Sequence, residues 1–351
     1  MTFHPKEWLN GFRRNPKYPL FVKGDIDGFI VLFTNNLATL LAIILSAKTI
    51  LGNDTIYGRM VPGMSLGMLW GNFYYVYMAR KIAYREQRGD VCVMPYGIST
   101  MGAFAFIYAI VLPTYNQCLL TRNKAHCEEL AYYVALASNF AVGIILLLLC
   151  IVGEFIRRNT PRVALLSSLS GLGFAYLAMN ECLPVIANPI VSFIPFFIIM
   201  VGYFGEVSFG PIPVVVVALV TGTALGWATS LNDVAQVRDA YELMKGYKLI
   251  FPIREMFKHM DEIMPYLSTT IPTAIANAIV TIQCVESARQ AGDFYPTQEA
   301  MFADGIGTLI SSFFGSFLSM TTYIGHPAMK KMGAKQGYSL QSIRSLFLLV
   351  C

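Results

Sequence analysis

Apolar stretches about as long as a bilayer is thick recur along this sequence, and they constrain its fold more than any other feature. The first, residues 28–51, reads GFIVLFTNNLATLLAIILSAKTIL. A helix needs about 20 apolar residues to cross the hydrocarbon core of a membrane. Charged residues make up 13% of the chain, whereas soluble domains carry roughly 25%. The sequence therefore predicts an all-α polytopic membrane protein.

Segments numbered in chain order can be placed on these stretches. They cover residues 28–51, 60–78, 91–115, 132–156, 163–179, 190–204, 211–229, 264–288, 301–318 and 319–332. A further apolar run begins at about residue 345, too near the last residue to cross a membrane. We therefore expect a chain that is truncated after segment ten.

Basic residues concentrate in alternate loops. The clusters at 80–88, 157–162 and 330–344 lie on the same side as the basic N-terminus if that terminus is cytoplasmic. Cytoplasmic loops carry the excess of Lys and Arg. We predict a multi-pass integral membrane protein with a cytoplasmic N-terminus, expected in the plasma membrane. The net charge of +5 is spread over these loops and predicts no nucleic-acid partner. Cys118 and Cys127 share one outside loop, and a disulfide between them is left open.

Segments three and ten are interrupted. Segment three begins VCVMPYGISTMG, and segment ten contains TTYIGHP. An odd number of spans separates them, so the second unit is inverted relative to the first. Paired broken segments at corresponding positions are typical of transporters with inverted repeats and a site near the membrane midplane. The predicted fold has inverted seven-helix repeats with short broken segments three and ten, and an incomplete second repeat.

This fold divides the chain into four parts. They are a cytoplasmic N-terminal segment at 1–27, a first seven-segment repeat at 28–230, a polar connecting stretch at 231–262 and a truncated second repeat at 263–351.

Several stretches of the sequence also resemble one family. They read VESARQAGDFY, MFADGIGTLISSFFGS and TTYIGHPAMKKMGAKQGYS, with GDIDGFIVLFTNNLATLL and VMPYGIST nearer the N-terminus. The chain resembles the nucleobase–cation symporters, the xanthine/uracil permease superfamily, which includes the nucleobase–ascorbate transporters and guanine–hypoxanthine permeases. The resemblance implies inverted repeats split into core and gate domains. It also implies a substrate between the half-helices of segments three and ten, near a carboxylate on segment eight.

The resemblance assigns that carboxylate to Glu286, which would hydrogen-bond the base and take part in proton coupling. Related permeases have a Glu where this chain has Gly325, and their Asn-x-Gly signature becomes His326-Pro327-Ala328. Histidine side chains titrate between about pH 5 and 8. We therefore predict that His326 replaces the missing carboxylate in substrate binding and proton coupling, and whether it faces one cavity with Glu286 is left open.

The remaining predicted substrate contacts lie on the same three segments. They are Gln283, Tyr96, Gly97, Thr322, Tyr323 and Gly325. Asp304 is predicted to be a helix N-cap. The amides of Asn35 and Asn36 are predicted to contact either another helix or the substrate, because unpaired amides are costly in hydrocarbon.

These features predict a secondary active transporter of a purine- or pyrimidine-like solute that works by alternating access, coupled to protons or sodium. The alternative is an anion transporter of the sulfate or bicarbonate type, because two opposed half-helix N-termini bind an anion. An enzyme is not predicted, since His326 has no second His or Asp within motif distance. No cofactor or metal is predicted. The expected partners are the solute, the coupling ion and the lipid bilayer, and a homodimer is left open.

Overall fold

The first two apolar segments form long helices. The computed structural model describes residues 5–13, 15–161, 179–205, 214–229 and 252–350, with isolated positions between 163 and 238. Helix α1 spans Gly24–Ala47. A short 3-10 helix at Pro5–Phe12 precedes it, and a helical turn at Asn53–Thr55 and a π-helical turn at Ile56–Met60 follow it. Helix α2 then spans Val61–Glu86.

The two broken segments each contain one short strand followed by a helix. Segment three forms strand β1 (Tyr96–Ile98) and helix α3 (Thr100–Leu119), which contains a π-helical turn. Segment ten forms strand β2 (Met320–Thr322), and its helix runs over His326–Lys331. The strands pair antiparallel, with Gly97 opposite Thr321. This pairing gives the irregular backbone hydrogen-bond partners, which irregular backbone at membrane depth requires.

The strands pack against α1 and α2 and against two long helices that follow residue 252. Helix α4 spans Lys124–Asn159. After residue 252 the chain forms α8 (Ile253–Lys258), a 3-10 helix (Asp261–Tyr266), α9 (Leu267–Gln290) and α10 (Thr297–Phe313). The helix of segment ten is α11, and α12 spans Gly337–Val350. The residues of α4 from Ala131 to Asn139 are all buried.

Segments six and seven lie in a different compact unit. The chain separates into one unit of Met1–Ser167 with Lys248–Cys351 and another of Ser168–Tyr247. The second unit contains α5 (Met179–Ala187), α6 (Pro189–Ile199), continued by a π-helical turn at Met200–Phe204, and α7 (Val214–Ala228). Most of predicted segment five, and residues 230–251 except 238, lie outside the described residues.

The predicted helical membrane fold is confirmed, while several boundaries differ. Among the described residues, four helices are long and apolar enough to cross a membrane: Gly24–Ala47, Thr100–Leu119, Lys124–Asn159 and Asp261–Gln290. Helix α10 begins before residue 301, and α12 begins at Gly337, not near residue 345. Both starts were predicted too late because the first turn of each helix is polar and lies outside the apolar run.

A disulfide joins Cys118 to Cys127 at the end of the molecule where α3 meets α4. The carboxylate of Glu128 lies 3.3 Å from where a side chain on Gly52 would begin, so the loop after α1 packs against the same end. Disulfides form in oxidising compartments. The predicted cytoplasmic N-terminus would place this end outside, and that orientation stays a prediction.

Candidate substrate site at the crossing of the broken segments

The start of α3 is fixed by Ser99, directly after β1. Ser99 has extended backbone, and its hydroxyl oxygen accepts a hydrogen bond from Gly102 N at 3.2 Å. Serine is a favoured N-cap because it satisfies one of the free N–H groups of a first turn. The Ser99 backbone N–H donates to Ser319 O at 2.8 Å. The N-terminus of α3 therefore begins where segments three and ten cross.

Asn277, in the middle of α9, contacts this helix start. The Ser99 hydroxyl donates to Asn277 Oδ1 at 2.7 Å, which fixes the orientation of the amide. Asn277 is 1% exposed, and its Nδ2 has no hydrogen-bond partner among the described residues. Nδ2 also lies 3.5 Å from where a side chain on Gly102 would begin. A buried unpaired donor costs about 1–3 kcal/mol, so its presence needs an explanation.

Two more polar atoms at the crossing have no partner in the described part of the chain. They are the hydroxyls of Thr322 on β2 and Tyr96 on β1, and both side chains are at most 1% exposed. Tyr96 and Thr322 are opposite each other in the strand pairing. The Tyr96 ring packs on Tyr75 at a centroid distance of 5.4 Å and fills the space beside Gly71. The predicted residues Tyr96 and Thr322 are thus brought together.

Gly97 and Tyr323 also lie close together, and both lie beside Asn36 of α1. The Tyr323 hydroxyl donates to Asn36 Oδ1 at 2.7 Å. A side chain on Gly97 would collide with the same Asn36 oxygen and with the Tyr323 hydroxyl, so glycine is required there. Of the two alternatives for the segment-one amides, this contact between elements is the one present for Asn36.

Glu286 lies on the opposite face of α9 from Asn277. Nine residues at about 100° each bring Glu286 about half a turn around the helix and about 13 Å along it. Its Oε2 lies 3.3 Å from Arg157 Nη1 and 3.8 Å from Arg289 Nε. Arg157 also pairs with Glu154 at 2.9 Å. Glu286 therefore joins α9 to α4.

His326 belongs to a third set of contacts. Its ring is buried, with Nε2 3.0 Å from Asp293 Oδ2 and Nδ1 3.3 Å from Val93 O. These partners lie in the loops before α10 and before β1. The ion pairs of Glu286 are with Arg157 and Arg289, whereas His326 contacts Asp293 and Val93.

The last two predicted contacts have different surroundings. Gln283 is buried on α9, three residues before Glu286. Gly325 precedes α11, and no described atom lies within 4 Å of where a side chain there would begin. Space for a side chain is therefore present at the position where the permeases that the sequence resembles have a Glu.

The N-cap prediction for Asp304 is wrong. Helix α10 begins at Thr297, so Asp304 is an interior residue, and it is 1% exposed. Its oxygens accept hydrogen bonds from Tyr75 at 2.7 Å, Thr281 at 2.6 Å and Thr321 at 3.4 Å. Thr281 lies one helical turn after Asn277, so this carboxylate borders the same face of α9.

Sequence reasoning missed Asn277, although a signal for it existed. It is an amide within the apolar run ANAIV, and intramembrane polar groups are costly and often functional. In chemical terms the crossing offers hydrogen-bond donors: the Asn277 amide, the Thr322 hydroxyl and the first N–H groups of α3, which lack partners within their helix. A helix N-terminus with added donors favours a negatively charged or strongly accepting ligand. Among the described residues, no group of three or more His, Cys, Asp or Glu side chains is placed to hold a metal ion.

Comparison with known proteins bears on the fold. No family model matches the chain, and no curated protein matches it. Among solved structures, the chain is similar to the transmembrane domain of a cyanobacterium bicarbonate transporter, BicA, with a TM-score of 0.54 and 12% identity. The match covers 93% of this chain and 82% of that one. It confirms the predicted fold, and the resemblance to the xanthine/uracil permease superfamily stays a prediction.

Proposed function

We propose that this protein is a secondary transporter of a small anion, which binds at the crossing of β1 and β2. The observation that carries the proposal is the buried amide of Asn277, which Ser99 holds beside the first turn of α3 and whose Nδ2 has no hydrogen-bond partner among the residues that the structure describes. A donor and a helix N-terminus together supply partial positive charge without a basic side chain. A bound anion would supply the missing acceptor.

The nucleobase prediction depended on a carboxylate facing the broken segments from segment eight. Glu286, the residue assigned to that role, is on the far face of α9 and is paired with Arg157. The amide of Asn277 occupies the near face. The solved structure with the same fold is named for bicarbonate, which is a small anion.

Asp304 supports a role for a coupling cation, either a proton or sodium. Bringing one negative charge into a cell works against about 2.3 kcal/mol per 100 mV of membrane potential. A cation that enters with the anion removes this cost. The Asp304 carboxylate is buried among three hydroxyls, and it is joined through Thr281 to the face of α9 that holds Asn277.

A nucleobase-like solute is the second candidate, and one observation favours it. The Asn277 amide and the Thr322 hydroxyl are neutral groups that pair equally well with the oxygen and nitrogen acceptors of a planar base. This candidate also has the sequence resemblance in its favour. Both candidates use the same site, so substrate competition separates them.

The test is uptake into proteoliposomes that contain the purified chain. Labelled bicarbonate and sulfate are compared with labelled uracil, xanthine and hypoxanthine, each with and without an inward proton or sodium gradient. We expect anion uptake that an Asn277→Ala variant loses and a Glu286→Gln variant keeps. Uptake of a base that anions do not inhibit would establish the second candidate. Absence of all uptake from a folded, inserted protein would contradict both.

A further inference from the structure

A buried cluster of charges surrounds Asp293, in the loop between α9 and α10. The Asp293 side chain is fully buried, and its two oxygens contact three basic residues. Lys330 Nζ lies at 2.7 Å, His326 Nε2 at 3.0 Å and Arg88 Nη2 at 3.2 Å. The backbone N–H of Cys92 donates to Oδ2 at 3.1 Å. The Asp293 carboxylate thus connects α11 with two loops, its own loop before α10 and the loop after α2 that carries Arg88 and Cys92.

The contact of the second ring nitrogen of His326 bears on the protonation state of the ring. Nδ1 lies 3.3 Å from Val93 O, and this carbonyl also accepts from the Tyr338 hydroxyl at 2.6 Å. A carbonyl oxygen only accepts, so this contact is a hydrogen bond only if Nδ1 carries a proton. Nε2 faces a carboxylate oxygen, and a neutral imidazole has one N–H. In either neutral tautomer, therefore, one ring lone pair faces an oxygen atom, at 3.0 Å from Asp293 or at 3.3 Å from Val93.

Asp293 does not supply the missing proton. Burial alone would raise the pKa of Asp293, but the hydrogen bonds from His326 and Lys330 and the Cys92 amide outweigh it and lower the pKa. Lys330 and Arg88 contact the same carboxyl group and favour its ionised form independently of His326. An ionised carboxylate only accepts hydrogen bonds, so both contacts of the His326 ring are hydrogen bonds when both of its nitrogens donate.

Other titratable or charged groups face this pair from each neighbouring element. They are Lys330 on α11, Arg88, Asp90 and Cys92 in the loop after α2, Tyr295 in the loop before α10, Tyr338 on α12, and Tyr18 and Asp25 before and at the start of α1. Arg88 and Asp90 pair with each other at 2.9 Å. Within this set, Asp293 is the anion in contact with His326.

We propose that His326 is a buried imidazolium, a bound-proton site that pins α11 to the loops at 87–95 and 291–296. Loss of the proton would place a ring lone pair against the Asp293 carboxylate or against the Val93 carbonyl, so one of the two contacts that hold the start of α11 would break. Because Thr322 lies four residues before His326, the proton also fixes the position of β2. The proposal does not depend on which solute the protein carries.

Nitrogen NMR of the full chain in nanodiscs, with labelled histidine, tests the proposal directly. His326→Gln identifies the signal of His326. His259→Gln is the matched control, because His259 also contacts a carboxylate, Glu262 at 3.1 Å, but is partly exposed. At pH 7.5 we expect the His326 signal to show two protonated nitrogens, and the His259 signal is recorded beside it for comparison. Asp293→Asn should convert the His326 signal to the neutral form.

If His326→Gln does not fold, the signal is assigned by elimination with Gln variants of His4, His126 and His259. A neutral His326 ring at pH 7.5 overturns the proposal. So does a protonated ring that Asp293→Asn leaves unchanged. This measurement needs no transport, so a failed uptake assay leaves its result intact.

Discussion

The two faces of α9 both carry buried polar residues, and they use them differently. One face has Asn277 and Thr281, which contact the crossing of the broken segments through Ser99 and Thr321. The other has Glu286, paired with arginines of α4 and of its own last turn. The charged residue is paired with two oppositely charged side chains. The neutral amide has a donor, Nδ2, without a hydrogen-bond partner in the described part of the chain.

This difference shows why formal charge is a poor guide to a site in a membrane protein. A buried carboxylate is costly unless it is paired, so most that persist have partners within the protein. A ligand site needs the reverse: a group held in place by one neighbour and unsatisfied at its other end. Ser99 and Asn277 have this arrangement.

The largest expected effect comes from Asn277→Asp, which places a negative charge at the proposed anion site. Two like charges about 4 Å apart at an effective dielectric constant of about 20 repel by about 4 kcal/mol. Anion affinity should therefore fall about a thousandfold, measured as KM or as binding to the reconstituted protein. Asn277→Ala, which removes the donor without adding charge, is the control and should lose less. Unchanged anion affinity in the Asp variant would show that the anion does not bind beside α9.

Glu286→Gln tests the other face. It leaves Arg157 with one carboxylate partner, Glu154, and should lower stability by about 1–3 kcal/mol. The KM for substrate should not change. Thermal unfolding in nanodiscs and uptake kinetics measure the two effects. Glu255→Gln removes the exposed pair with Lys258 and should change neither. A KM that rises in Glu286→Gln while stability stays constant would reverse the assignment of the faces.

How far the sequence could predict this arrangement depends on the element. The strands were predictable as breaks because VMPYGIST and TTYIGHP interrupt apolar runs, and their mutual pairing follows from the need to satisfy backbone in a membrane. The side-chain roles were harder. Matching Glu286 to a carboxylate of the family that the sequence resembles identifies a residue type. It does not identify the face of the helix on which that residue lies, and an error of a few residues rotates a side chain to the opposite face.

His326 and Asp304 show a second limit. His326 was predicted to share proton coupling with Glu286, yet its partner Asp293 lies in a loop 33 residues earlier that no periodicity places near it. Asp304 looked like a cap because the polar first turn of α10 hid the true start at Thr297. Contacts between loops, and helix starts that are polar, depend on tertiary packing that local patterns do not encode.

Gly325 allows a test on the segment-ten side of the crossing. Gly325→Glu introduces the residue type that the permeases resembled by this sequence have at that position. The new side chain enters open space. We expect anion uptake to fall about tenfold, equivalent to about 1.4 kcal/mol, because the new charge is near the site but farther than that of Asn277→Asp. Gly325→Ala is the control and should leave anion uptake unchanged, since φ is −70° and no described atom obstructs a methyl group. Equal losses in both variants would indicate a steric effect.

The smallest effect is expected from Tyr323→Phe, which removes the hydrogen bond to Asn36 but keeps the ring. One neutral hydrogen bond contributes about 1 kcal/mol, so KM should rise about fivefold if this contact positions β2 for substrate. Tyr108→Phe is the matched control, because the Tyr108 hydroxyl bonds to Ser46 on an exposed surface. Wild-type kinetics in Tyr323→Phe, together with a lowered unfolding temperature, would make the contact structural. The site would then be confined to the face of α9 that carries Asn277.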